Sequence, residues 1–90
     1  MHDARPAGSV LAAHLEDEAV LLEMDRRRYF RLNDTGQTIW RALESGQTPA
    51  GAARLLVERY AVEPDQAAAA VDEFIAELEA YRLVERAAGT

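Results

Sequence analysis

Three short apolar runs of strand length, Val10–Leu15, Ala19–Met24 and Arg28–Leu32, follow one another near the start of the chain. The links between them, Glu16-Asp17-Glu18 and Asp25-Arg26-Arg27, are charged and turn-compatible, so the runs are expected to pair as an antiparallel β-meander. Period-two alternation then sorts the side chains. In the second run Val20, Leu22 and Met24 share one face, and Leu21 and Glu23 the other. In the third, Phe30 and Leu32 point one way as core candidates, and Tyr29 and Arg31 the other. Only the middle strand of such a meander is paired on both sides. The first and third each keep a row of unpaired backbone N–H and C=O groups.

The spacing changes to helical after Leu32. Asn33 or Asp34 caps a first helix with Gly36, Ile39, Trp40 and Leu43 on its inner stripe, and Ser45-Gly46 closes it. Thr48-Pro49, an N-cap followed by proline at the first helical position, starts a second helix whose stripe is Ala52, Leu55, Leu56 and Tyr60. Glu63-Pro64 opens a third, with apolar positions Ala67, Ala68, Val71, Phe74, Ile75 and Leu78. Leu83-Val84 is expected to tuck back onto the core. A β-meander, a helix and then a helix–turn–helix amount to an α+β fold of winged helix-turn-helix type. The expected domain runs over residues 9–85, with residues 1–8 and 86–90 as flexible ends.

A chain of 90 residues makes one small domain, burying about 60–65% of the surface its unfolded form exposes. Its hydrophobic content of 49% suits a folded chain. There is no cysteine, which excludes disulfides, thiolate metal sites and cysteine nucleophiles. No apolar run approaches the ~20 residues needed to span a bilayer, and the first residues lack the apolar stretch of a secretion signal. A cytoplasmic protein is expected. The net charge of −6, with arginine as the sole cationic residue type besides histidine, argues against a general nucleic-acid or anionic-membrane binder.

Catalytic chemistry finds little footing. His2 and His14 have no partner nearby in sequence, no metal-ligand spacing is present, and Gly36, Gly46 and Gly51 match no phosphate-binding loop. No catalytic residue, metal or cofactor is expected. DNA binding fails on charge. A recognition helix needs cationic or amide side chains, whereas the segment from Glu63 to Arg82 carries Glu63, Asp65, Asp72, Glu73, Glu77 and Glu79 against Arg82 alone. The third strand is different. Arg26, Arg27, Arg28 and Arg31 cluster around one hairpin with Tyr29 and Phe30 among them. Such arginines can simply guard an open edge against aggregation. They also suit β-augmentation, in which an extended peptide adds a strand and side-chain pockets supply specificity.

The stretch Tyr29-Phe30-Arg31-Leu32-Asn33-Asp34-Thr35-Gly36-Gln37-Thr38-Ile39-Trp40 resembles the strand-to-helix signature of PqqD-like proteins. These are the leader-peptide recognition elements of ribosomally synthesised, post-translationally modified peptides (RiPPs). Thr48-Pro49, Leu55–Tyr60 and Val71–Leu78 continue the likeness, which covers roughly Val10 to Val84. The resemblance implies a three-stranded, three-helix winged-helix domain without catalytic activity. In it a leader would lie as an extra antiparallel strand against the third strand, facing the third helix. Among the family's members the chain looks most like the stand-alone half of a split lasso-peptide leader-processing pair. It would then hand the precursor to a separate cysteine leader peptidase, and the leader would carry a Tyr-x-x-Pro segment.

Carried over residue by residue, the resemblance makes Arg28, Tyr29, Phe30, Arg31 and Leu32 the strand wall of the binding cleft. For the helix wall, alternating four- and three-residue spacing selects Ala68, Asp72, Ile75, Ala76 and Glu79. Asp72 and Glu79 would be available to basic leader residues. Gly36, Ile39 and Trp40 are read as core and close packing. Within the family the rival is a peptide chaperone for a radical-SAM enzyme. Outside it, the rivals are a winged-helix transcription regulator and a structural homodimer joined through the same open edge.

Overall fold

A computed structural model of the protein describes residues 4–86. Strand β1 (Ala4–Pro6) leads into the meander β2 (Val10–His14), β3 (Ala19–Glu23) and β4 (Arg28–Leu32). Helices α1 (Asp34–Glu44), α2 (Pro49–Tyr60) and α3 (Pro64–Ala80) follow, and β5 (Val84–Arg86) closes the order. The meander is antiparallel in the order β2-β3-β4, and β1 pairs antiparallel with β5 as a separate ribbon. The fold is the α+β arrangement expected from the sequence, a three-stranded sheet followed by three helices.

Register explains which sheet face is covered. Ala19 and Leu21 are fully buried beneath the helices and stand opposite Leu32 and Phe30 of β4. The alternate residues form an outward row, Leu11 opposite Leu22 opposite Tyr29. Glu23 shares the inward face and is only 1% exposed, although it is a glutamate. Its carboxylate accepts the backbone N–H groups of Asp25 (2.9 Å) and Arg26 (3.0 Å), so a buried charge organises the β3–β4 turn. Arg27 in that turn adopts positive φ (57°), the left-handed geometry a tight reversal requires.

The helices start and stop where their capping residues stand. Asn33 accepts from the Gly36 N–H (2.8 Å) and Thr48 from the Gly51 N–H (3.1 Å), while α3 opens on Pro64 without a side-chain cap. Gly46, at φ +87°, ends α1: its own N–H reaches the Leu43 carbonyl and that of Gln47 reaches the Ala42 carbonyl. The end of α3 uses the same pattern with Arg82 (φ 59°) in place of glycine. There Arg82 N–H bonds the Glu79 carbonyl and Leu83 N–H the Leu78 carbonyl, which turns Leu83 back into the core. The core itself gathers Leu21, Leu32, Ile39, Trp40, Leu43, Leu56, Val71, Ile75, Leu78 and Leu83. A polar clamp, Tyr60 Oη to Asp34 Oδ2 at 2.6 Å and to Thr38 Oγ1 at 3.0 Å, fastens α2 to α1.

One expectation about the chain ends needs correction. Residues 1–8 and 86–90 were expected to be loose, yet Ala4–Pro6 pairs with Val84–Arg86, and Ala4 is 1% exposed. Such a pairing has no local signature, because its two partners lie at opposite ends of the chain and each is only three residues long. Residues 1–3 and 87–90 lie outside the described residues.

Candidate functional site: an open strand edge and its cleft

Strand β4 is the edge of the meander, and among the described residues no strand pairs its outer side. Helix α3 packs against α2 and β5 and faces β4 across a gap. The result is a cleft of about 410 Å³. Its strand side is Phe30, Arg31, Leu32 and Asn33, its floor Thr35, Gly36 and Ile39 of α1, and its far wall Ala70, Phe74, Glu77, Leu78 and Tyr81. Gly36 is needed at the floor. A Cβ there would lie 3.3 Å from both Leu32 Cβ and the Phe74 ring tip. The glycine of the signature is therefore a close-approach residue between the strand, α1 and α3.

Arginine and aromatic rings close one end of the cleft. The Phe30 and Tyr81 rings meet at 5.0 Å between centroids, tilted by 48°. The Arg28 guanidinium lies 5.5 Å from the Phe30 centroid and 5.6 Å from that of Tyr81. Its Nη2 also donates to the Tyr81 carbonyl at 3.4 Å, which places a cation at the carbonyl end of α3, where the helix dipole favours it. Arg28 thus links the strand edge to the helix. Arg31 does a different job: its Nη2 bonds both carboxylate oxygens of Glu18 (2.7 and 3.0 Å).

The residues selected from sequence divide sharply. Phe30, Arg31 and Leu32 line the cleft, and Arg28 braces its end. Tyr29 does not enter it; the residue is 71% exposed on the sheet face turned away from the helices. The helix residues selected from sequence do not line this cleft. Ile75 is fully buried in the core, Ala68, Asp72 and Ala76 are exposed away from the cleft, and Glu79 lies beside a polar hollow near Glu23 and Arg26. The cleft instead takes Ala70, Phe74, Glu77 and Tyr81. At about 100° per residue these occupy one flank of the buried Ala67–Val71–Ile75 stripe, and the selected residues occupy the opposite flank. A signal did exist. The large aromatics Phe74 and Tyr81 fall on the first flank, whereas the second holds only small and acidic residues.

His14 sits apart from this site. Its Nε2 lies 2.9 Å from Glu44 and its Nδ1 3.2 Å from Arg41 Nε, so it fastens β2 to α1. No group of metal-ligating side chains is present among the described residues, and no helix among them is long and apolar enough to cross a membrane.

An open strand edge beside an apolar cleft on a winged-helix frame defines a class of peptide-docking domain, and comparison with known proteins narrows it. The family model described as coenzyme PQQ synthesis protein D matches residues 18–84. The chain belongs to that PqqD family and is a PqqD-like RiPP recognition element. Two solved structures are similar over nearly their full length. One, TbiB1 in complex with the TbiA(beta) leader peptide, is 30% identical with a TM-score of 0.87, covering 90% of this chain and 94% of that one. The other, lasso peptide synthetase B1 complexed with the leader peptide, is 26% identical with a TM-score of 0.84, covering 92% and 98%. No curated protein sequence matches significantly.

Proposed function

We propose that this protein is a non-catalytic adaptor of lasso-peptide biosynthesis. It binds the leader of a ribosomal precursor peptide as a strand added to β4 and presents it to a separate leader peptidase. The carrying observation is the β4 edge, unpaired among the described residues and flanked by a largely apolar cleft, in a fold shared with two solved leader-peptide complexes. In this mode the peptide backbone bonds to the strand edge, and alternate side chains enter the cleft between Phe30, Leu32, Phe74 and Tyr81. The remaining side chains fall on the outer face beside Tyr29. An aromatic ring and a proline, as in a Tyr-x-x-Pro segment, suit the apolar lining. Holding the precursor beside its processing enzyme replaces a free encounter with a tethered one. The likeness to lasso peptide synthetase B1 favours this reading over service to a radical-SAM enzyme.

The test is fluorescence anisotropy with the labelled leader encoded beside the gene. Phe74→Ala combined with Tyr81→Ala is expected to weaken binding about tenfold or more, because buried aromatic anchors carry a large share of peptide affinity. N-methylation of alternate leader residues should abolish binding in one register and spare it in the other. Unchanged affinity in a variant that circular dichroism shows to be folded would remove the cleft from the proposal.

A further inference from the structure

The charges around the cleft are unequally satisfied. Arg31 is held by Glu18, Arg28 by the Tyr81 carbonyl and two rings, and the Asn33 side-chain Oδ1 by the Gly36 N–H. Glu77 is the exception. It is exposed, lines the far wall between Phe74 and Tyr81, and its carboxylate has no hydrogen bond or ion pair among the described residues. Its position is also unfavourable for the free protein. Glu77 stands in the last turn of α3, which holds no basic residue, close to the carbonyl end of the helix dipole. Local helix energetics would prefer a cation there. A carboxylate without a partner on the wall of a largely apolar cleft is what recognition of a basic side chain would require.

We propose that Glu77 is a specificity residue that selects a lysine or arginine in the bound peptide, a reading that rests on the peptide-binding function above. Spacing locates the partner. Inward-facing side chains of an added strand recur about every 6.6 Å. Phe74 and Tyr81 are separated along α3 by a rise of about 10.5 Å, with Glu77 between them. The cleft therefore accommodates two successive inward positions. The basic residue belongs at the one next to the apolar anchor, two residues away in the peptide.

A display library of short random peptides selected on the wild-type protein, Glu77→Gln and Glu77→Lys tests this. The wild type should enrich lysine or arginine two residues from an apolar anchor, and Glu77→Lys should turn that preference to aspartate or glutamate. For an individual enriched peptide, Glu77→Gln should weaken binding about three- to fivefold, the scale of a partly exposed ion pair, and high salt should erase the difference. Glu77→Lys should meanwhile raise the melting temperature by about 2–5 °C through the helix dipole, a sign opposite to that expected of a merely structural glutamate. A wild-type pool without a charge preference, or one unmoved by Glu77→Lys, overturns the inference and leaves the cleft reading standing. Enriched peptides that bind the Phe74→Ala, Tyr81→Ala variant undiminished overturn both.

Discussion

Glu23 offers the sharpest test of how this fold positions its open edge strand, β4. The side chain is 1% exposed and holds the β3–β4 turn through two backbone N–H groups, with the Arg26 and Arg28 guanidinia each 4.0 Å away. Glu23→Ala removes both acceptors and leaves two arginines without their buried counter-charge. Hydrogen bonds to a charged group contribute about 1.5–3 kcal/mol each. Asp25 and Arg26 are exposed, so water can reach the freed N–H groups, and a net loss of about 2–4 kcal/mol follows. Set against the 5–15 kcal/mol typical of a domain, that is a large fraction of total stability and corresponds to a fall of about 10–25 °C in melting temperature. Glu23→Gln keeps the volume and one acceptor and should lose about half as much. Urea unfolding followed by circular dichroism measures both, with the slope m expected to stay constant. A loss below about 1 kcal/mol for Glu23→Ala would refute the reasoning, because the turn would then be held by the strands alone.

Two further substitutions probe the frame around the cleft. Asn33→Ala removes the acceptor of the Gly36 N–H and should cost about 1 kcal/mol, seen in calorimetry as a fall of about 4–8 °C that Asn33→Asp largely restores. Gly36→Val places a branched side chain where even a Cβ lies 3.3 Å from Leu32 and Phe74. It should destabilise by about 1–3 kcal/mol in urea titration. By pushing the Phe74 ring into the cleft it should also weaken leader binding, as read by anisotropy.

Local patterns in the chain determined much of this protein. Alternation across three short runs defined the meander and put Phe30 and Leu32 on its inner side, because side chains on a strand have no choice but to alternate. Asn33, Gly46 and Thr48-Pro49 marked helix ends, because unpaired backbone groups there need those residue types. The signature around Leu32–Trp40 pointed to the family, and the structure explains its glycine as a contact point rather than a turn.

Tertiary structure alone decided the rest. A helical wheel is symmetric about its buried stripe, so the spacing of α3 left both flanks open and only the aromatics Phe74 and Tyr81 pointed to the one that faces β4. The choice of flank depended on how α3 packs against α2 and β5, which put Phe74, Glu77 and Tyr81 in the cleft instead of Ala68, Asp72 and Ala76. The burial of Glu23 depended on a turn folding over it and supplying two N–H donors. The β1–β5 ribbon joined the two chain ends, a contact with no trace in either short segment. Each of these is a relation between segments distant in sequence, settled only when the whole chain packs.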